Sequence, residues 1–153
     1  MIFSTLADGT RIPVIGLGSY LVQKPNEVGE SIKSAIQAGY RHFDFAQAYQ
    51  NQTQVGDVLK DIFKSGKVKR EELFLTSKVI QQPSPSKRCI TRAVGNSPIT
   101  STYFENTYEM YPMTSDGKIR LDPNPAPVIE IWTEMEKAKD AGLVKHIGVS
   151  NFN

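Results

Sequence analysis

RHFDFAQAYQNQ, residues 41–52, sets an aspartate at the end of a short apolar run and a tyrosine five residues further on. His42 to Phe45 reads as a strand. Beyond it Val55, Leu59, Ile62 and Phe63 recur at helical spacing and stop near Gly66. A charge placed where a strand gives way to a helix has two readings. Asp44 can cap the coming helix, with Tyr49 a core residue, or the two can form an acid–base site at a strand end.

The flanks repeat the strand–helix alternation. Upstream, Pro25 and Asn26 open a helical pattern in which Val28, Ile32, Ala35 and Ile36 share one face, ended by Gly39. VIGLG, residues 14–18, is apolar and short enough for a buried strand, and FSTLADGTRIP, residues 3–13, predicts a hairpin turning at Asp8-Gly9. Downstream, Leu73 to Leu75 is another strand. Units of roughly 30 residues that alternate in this way predict the α/β class, with parallel strands covered by helices. Near the end, Val128, Ile131, Trp132 and Met135 share a helix face, Gly142 closes that helix, and HIGVSN, residues 146–151, reads as a buried strand running into a loop.

Residues 81–112, QQPSPSKRCITRAVGNSPITSTYFENTYEMYP, break the pattern. Three prolines fall before residue 100. Ser86 can cap a short helix carrying Ile90, Ala93 and Val94, which Asn96-Ser97-Pro98 would end. In TYFENTYEMY, Glu105 and Glu109 alternate onto the face of Tyr103 and Tyr111, unsuited to a strand buried on both sides. An irregular segment is expected here.

Composition narrows the function classes. With 153 residues, 39% hydrophobic and 22% charged, the chain is expected to be one soluble domain, residues 1–153. A net charge of +2 without a basic run argues against a nucleic-acid partner. Cys89 is alone, which excludes an internal disulfide and fits a reducing, cytoplasmic setting. No apolar stretch nears the roughly 20 residues of a membrane helix, and MIFSTLADG lacks the basic flank and apolar core of a signal peptide. No metal is expected in the site.

Gly16-Leu17-Gly18 suggests a dinucleotide turn, but position 21 is Leu where a third glycine belongs, so a tight βα turn is the plainer reading. Lys78, following LFLTS, carries more weight. Asp44, Tyr49 and Lys78 all fall at or just after strand ends, and a barrel of parallel strands gathers such positions around one mouth. An ammonium beside a phenol favours the phenolate, and a carboxylate fixes the ammonium. A tyrosine so placed suits a general acid for a carbonyl oxygen.

Four segments then carry a family resemblance. GYRHFDFAQAYQNQTQVG resembles the aldo-keto reductase signature in which a strand ends in Asp and the catalytic Tyr follows five residues on. LFLTSK resembles the family's lysine strand, PVIGLGSY its first barrel strand and cofactor turn, and GLVKHIGVSNFN its carboxamide-binding segment. The match covers residues 3–80 and 120–153. The resemblance implies a (β/α)8 barrel, here about five parallel strands with an N-terminal hairpin, that reduces aldehydes or ketones with NADPH. It implies Tyr49 as proton donor, tuned by Lys78 and Asp44. Ser150 and Asn151 would hold the carboxamide, and Ser19 and Tyr20 would lie against the cofactor.

The chain departs from the family in two ways. Where the family has a catalytic His before an aromatic and a Pro, this chain has Met110 or Tyr111 ahead of Pro112, and its only histidines are His42 and His146. The second departure is length, since Asn153 follows the expected fifth strand and no site for the cofactor's 2′-phosphate is found. A partial barrel would leave open strand edges, so self-association is expected. The alternative to a reductase is an inactive, truncated or degenerate homologue that acts by binding.

Overall fold

The computed structural model describes residues 1–20, 22, 24, 26–78, 115, 116 and 127–150. One compact body contains residues 1–78, and residues 127–150 belong to a second. The proline-rich stretch 81–112, with Met110 and Tyr111, lies outside the described residues.

In the first body, β1 (Phe3–Thr5) and β2 (Arg11–Pro13) pair antiparallel, Phe3 opposite Pro13 and Thr5 opposite Arg11. Asp8-Gly9 lies inside the connection Leu6–Thr10 and is not a two-residue turn on its own. Leu6 N–H donates to Thr10 O at 2.8 Å, and Thr10 N–H donates to Asp8 Oδ1 at 2.9 Å. The Asp side chain thus closes the loop tip.

β3 is shorter than VIGLG suggests. Only Leu17–Gly18 pairs as strand, while Val14 and Ile15 are 52% and 65% exposed. Val14 N–H donates to Ile2 O at 3.0 Å, so this residue extends the hairpin. Gly16 is there for clearance, because a Cβ on it would stand 3.0 Å from His42 Cγ. The first glycine of the Gly-x-Gly pattern therefore has a packing cause, while a Cβ on Gly18 would meet nothing within 4 Å.

α1 (Glu27–Gln37) begins at Asn26, a left-handed residue with φ 64°, and carries Glu27 and Glu30 in its first turn, where carboxylates suit the helix dipole. It ends in a Schellman turn. Tyr40 N–H donates to Ala35 O and Gly39 N–H to Ile36 O, which needs the positive φ of 93° that Gly39 supplies. β4 (His42–Asp44), α2 (Gln52–Lys64) and β5 (Phe74–Thr76) follow. β3, β4 and β5 form a parallel sheet in that order, Leu17 opposite Phe43 and Phe43 opposite Leu75.

The core lies between this sheet and its two helices. Val28, Ile32 and Ile36 of α1 and Val55, Leu59 and Ile62 of α2 pack with Phe43, Phe45, Val68 and Leu73. Every one belongs to an apolar stripe or an alternating strand position visible in the sequence, apart from Val68 and Leu73 in the connection ahead of β5. Burying each such side chain contributes on the order of 1.5–3 kcal/mol.

In the second body, α3 (Val128–Asp140) realises the predicted helix and ends at Gly142. Ile131, Trp132 and Met135 are half-buried, but Val128 is exposed. HIGVSN does not form the expected buried strand in its described part. Residues 146–150 take no strand pairing, and Val149 is exposed. A strand exists only through ladder bonds to a neighbour, and these residues have none among those described.

Candidate active site

β4 ends on Asp44. Alternation places Phe43 and Phe45 against the helices and turns His42 and Asp44 to the opposite face. Phe45 N–H donates to Thr76 O at 2.9 Å, prolonging the pairing with β5 by one residue. Lys78, two residues past the end of β5, thus returns alongside Asp44. A short 3-10 turn, Gln47–Tyr49, closed by Tyr49 N–H to Ala46 O at 3.1 Å, carries Tyr49 back over the strand end.

These three residues meet at one atom. The Lys78 ammonium donates to Asp44 Oδ1, to the Tyr49 hydroxyl oxygen at 3.2 Å and to Phe45 O at 3.4 Å. An ammonium has three donors, and all three are engaged. Burial by itself would lower the Lys78 pKa. The hydrogen bonds to Asp44 and Tyr49, with their charges, outweigh it and hold the lysine above its ordinary value. Because the lysine donates to the phenol oxygen, the Tyr49 O–H stays available to a further acceptor.

Asp44 does not cap α2. The residue at the helix entrance is Asn51, and no side chain caps that end. Tyr49 is half-buried and not part of the core cluster. Neither residue takes the place that the cap-and-core reading gives it.

Ser19 and Tyr20 come to the same place from the β3–α1 loop. Ser19 N–H donates to Asp44 O at 3.1 Å. Its Oγ is buried without a hydrogen-bond partner among the described residues. Tyr20, 62% exposed, tilts its ring at 58° against Tyr49, with centroids 5.1 Å apart. Ser150 belongs to the second body and is exposed, and Asn151 lies outside the described residues. His42 is occupied elsewhere: its Nδ1 bonds Pro13 O at 2.9 Å, its Nε2 bonds Thr76 Oγ1 at 3.2 Å, and its ring meets Phe74 edge-on. It cross-links the hairpin to the sheet. Among the described residues no group of His, Cys, Asp and Glu is placed to hold a metal ion, and no helix is long and apolar enough to cross a membrane.

One neighbour of the cluster escapes the sequence. Asn51 reaches from the head of α2 to the loop that carries Ser19 and Tyr20. Asparagine ahead of a helix is so common that nothing sets it apart in the sequence.

Comparison with known proteins agrees with this architecture. The profile of the Aldo/keto reductase family matches residues 14–153, and the chain belongs to that family. It is 39% identical to aldose reductase C of Dictyostelium discoideum, over 97% of this chain and 51% of that protein. It is 36% identical to mouse (Mus musculus) estradiol 17 beta-dehydrogenase 5, over 97% of this chain and 50% of that protein. The solved aldose reductase of Schistosoma japonicum superposes with a TM-score of 0.81 at 34% identity, covering all of this chain and 54% of that one. The chain thus spans about half the length of the relatives it matches. Its fold is of the TIM-barrel class, and the described residues supply the N-terminal hairpin and three parallel strands. In such barrels functional groups gather at the C-terminal ends of the strands, where Asp44 and Lys78 stand.

Proposed function

We propose that this chain carries the proton-donating machinery of an NADPH-dependent reduction of aldehydes or ketones to alcohols. The observation that carries the proposal is the Lys78 ammonium, bonded at once to the Asp44 carboxylate and the Tyr49 hydroxyl. Tyr49 donates its proton to the carbonyl oxygen as negative charge develops there. Lys78 donates to the phenol oxygen and stabilises the phenolate left behind. Asp44 orients the ammonium and balances its charge.

The cofactor, when bound, supplies the hydride to the carbonyl carbon. The residues at hand fit a polar ligand beside Tyr49. Ser19 Oγ is a buried hydroxyl without a partner among the described residues, and Tyr20 offers an exposed aromatic face next to the donor. Ser19, Tyr20 and Asp44 are therefore assigned to the cofactor side of the site. Ser150 and Asn151 are assigned to the carboxamide on the strength of the GVSNFN motif.

Titration calorimetry of the purified chain with NADPH tests the proposal together with turnover of a simple aldehyde. Micromolar binding is expected, with turnover that falls by roughly 10²–10⁴ in Tyr49→Phe while the NADPH affinity stays the same. Absence of binding at millimolar NADPH would leave a homologue that binds some other partner. Turnover that survives Tyr49→Phe would remove the tyrosine from the chemistry.

A further inference from the structure

Asn51 occupies the N-cap position of α2, with φ −120° and ψ 10°. Asparagine is favoured there because its side-chain oxygen accepts a bond from an N–H of the first helical turn. Asn51 makes no such bond. Its side chain is 2% exposed, and its amide nitrogen donates to two carbonyls of the β3–α1 loop, Ser19 O at 2.9 Å and Val22 O at 3.1 Å.

These two carbonyls bracket Tyr20. Val22 N–H approaches Ser19 O at 3.4 Å, so Ser19 and Val22 are bonded to each other and both to one amide. Ser19 is tied in addition to Asp44 O through its own N–H, and Tyr20 packs against Tyr49. Tyr49 and Asn51 are separated only by Gln50, held left-handed at φ 55°. Proton donor and clamp thus sit on one short segment.

Bridging two carbonyls from a single atom takes a group with two donors, which a hydroxyl lacks. Asn51 also leaves its Oδ1 buried and without a partner among the described residues. An orphaned acceptor costs stability, and a capping conformation would satisfy it. The residue gives up local stability and holds the loop.

We propose that Asn51 is a positioning residue, which fixes Ser19 and Val22 so that Ser19 and Tyr20 present a fixed surface to the cofactor beside Tyr49. The proposal rests on the reduction proposed above and adds a residue to it. Asn51→Ser and Asn51→Ala separate it from a capping role. Serine caps helices well but has one O–H, so capping predicts a serine variant like the wild type, and positioning predicts both variants impaired alike.

The first readout needs no activity. In the full chain, NMR contacts between the Tyr20 and Tyr49 rings should vanish in both variants, and the Ser19 amide should exchange roughly tenfold faster or more. The amides of Phe43 and Leu59 should keep their protection. The second readout is kinetic. The KM for NADPH should rise roughly tenfold or more, with kcat at saturation within about threefold of wild type, since Tyr49, Lys78 and Asp44 are untouched. Wild-type ring contacts and exchange in Asn51→Ser overturn the proposal, and so does a freed loop with an unchanged KM. If the wild type binds no NADPH, the proposed reduction fails, and the ring contacts and exchange alone decide whether Asn51 holds Ser19 and Val22.

Discussion

The two faces of β4 are held by different forces. On one, Phe43 is buried under α1 and α2 among Val28, Ile32, Val55 and Leu59, where only volume and shape matter. On the other, His42 and Asp44 are committed one by one to polar partners distant in sequence: His42 to Pro13 and Thr76, Asp44 to Lys78. Apolar packing and polar bonding are therefore carried by alternate residues of one three-residue strand. The faces should respond to mutation separately, and the largest effect should come from the apolar one.

Phe43→Ala removes a ring from the centre of the core, and about 3–5 kcal/mol should be lost. A domain's whole stability is only about 5–15 kcal/mol, so the urea midpoint should drop steeply. Any loss of function in that variant would follow from unfolding. A variant that unfolds at the wild-type midpoint would show that the helix-covered face is not what anchors the fold.

Lys78→Met tests the other face. It leaves the phenol and carboxylate without their shared cation, and hydrogen bonds to charged groups are worth about 1.5–3 kcal/mol, so turnover should fall roughly 10- to 100-fold. Stability at neutral pH should change by about 1 kcal/mol or less, since the pair is partly open to solvent. The pH dependence has a definite sign. The folded-state pKa of Lys78 is raised, so its contribution to stability is complete below the unfolded lysine value of about 10.4 and is lost as pH rises through the folded value. Urea midpoints of wild type and variant should converge above that range. Groups remote from Lys78 that titrate there are common to both proteins and cancel in the difference. A gap that widens with alkaline pH would contradict the ion pair.

How much of this was legible depends on whether a feature is local. Alternation in RHFDF assigns each residue to a face without reference to anything else, and the stripes of α1 and α2 do the same. Asp44, Tyr49 and Lys78 could thus be found as charged or phenolic groups at strand ends. Val14 and Ile15 mislead, because a short apolar run looks the same whether it joins a buried sheet or an exposed hairpin edge. Gly16 is explained only by His42, 26 positions later in the chain. HIGVSN has the composition of a buried strand, but a strand needs ladder partners that composition does not provide. Asn51 is hidden for a different reason: its residue type suits the cap it does not make.

The smallest effect bears on how closely the polar face is set. Gln50 stands left-handed between Tyr49 and Asn51, a conformation that costs an L-residue about 1–2 kcal/mol. Glycine removes that cost but adds roughly 0.5–1 kcal/mol of unfolded-state freedom. Gln50→Gly should therefore gain about 0.5 kcal/mol, read as a slightly higher urea midpoint. If the constrained residue serves to hold Tyr49 and Asn51 in fixed relation, turnover should fall severalfold while stability rises, a trade seen where strain supports a site. A variant that gains in both would show that the left-handed turn only joins the 3-10 segment to α2, and that the polar bonds of Lys78 and Asn51 fix the site without it.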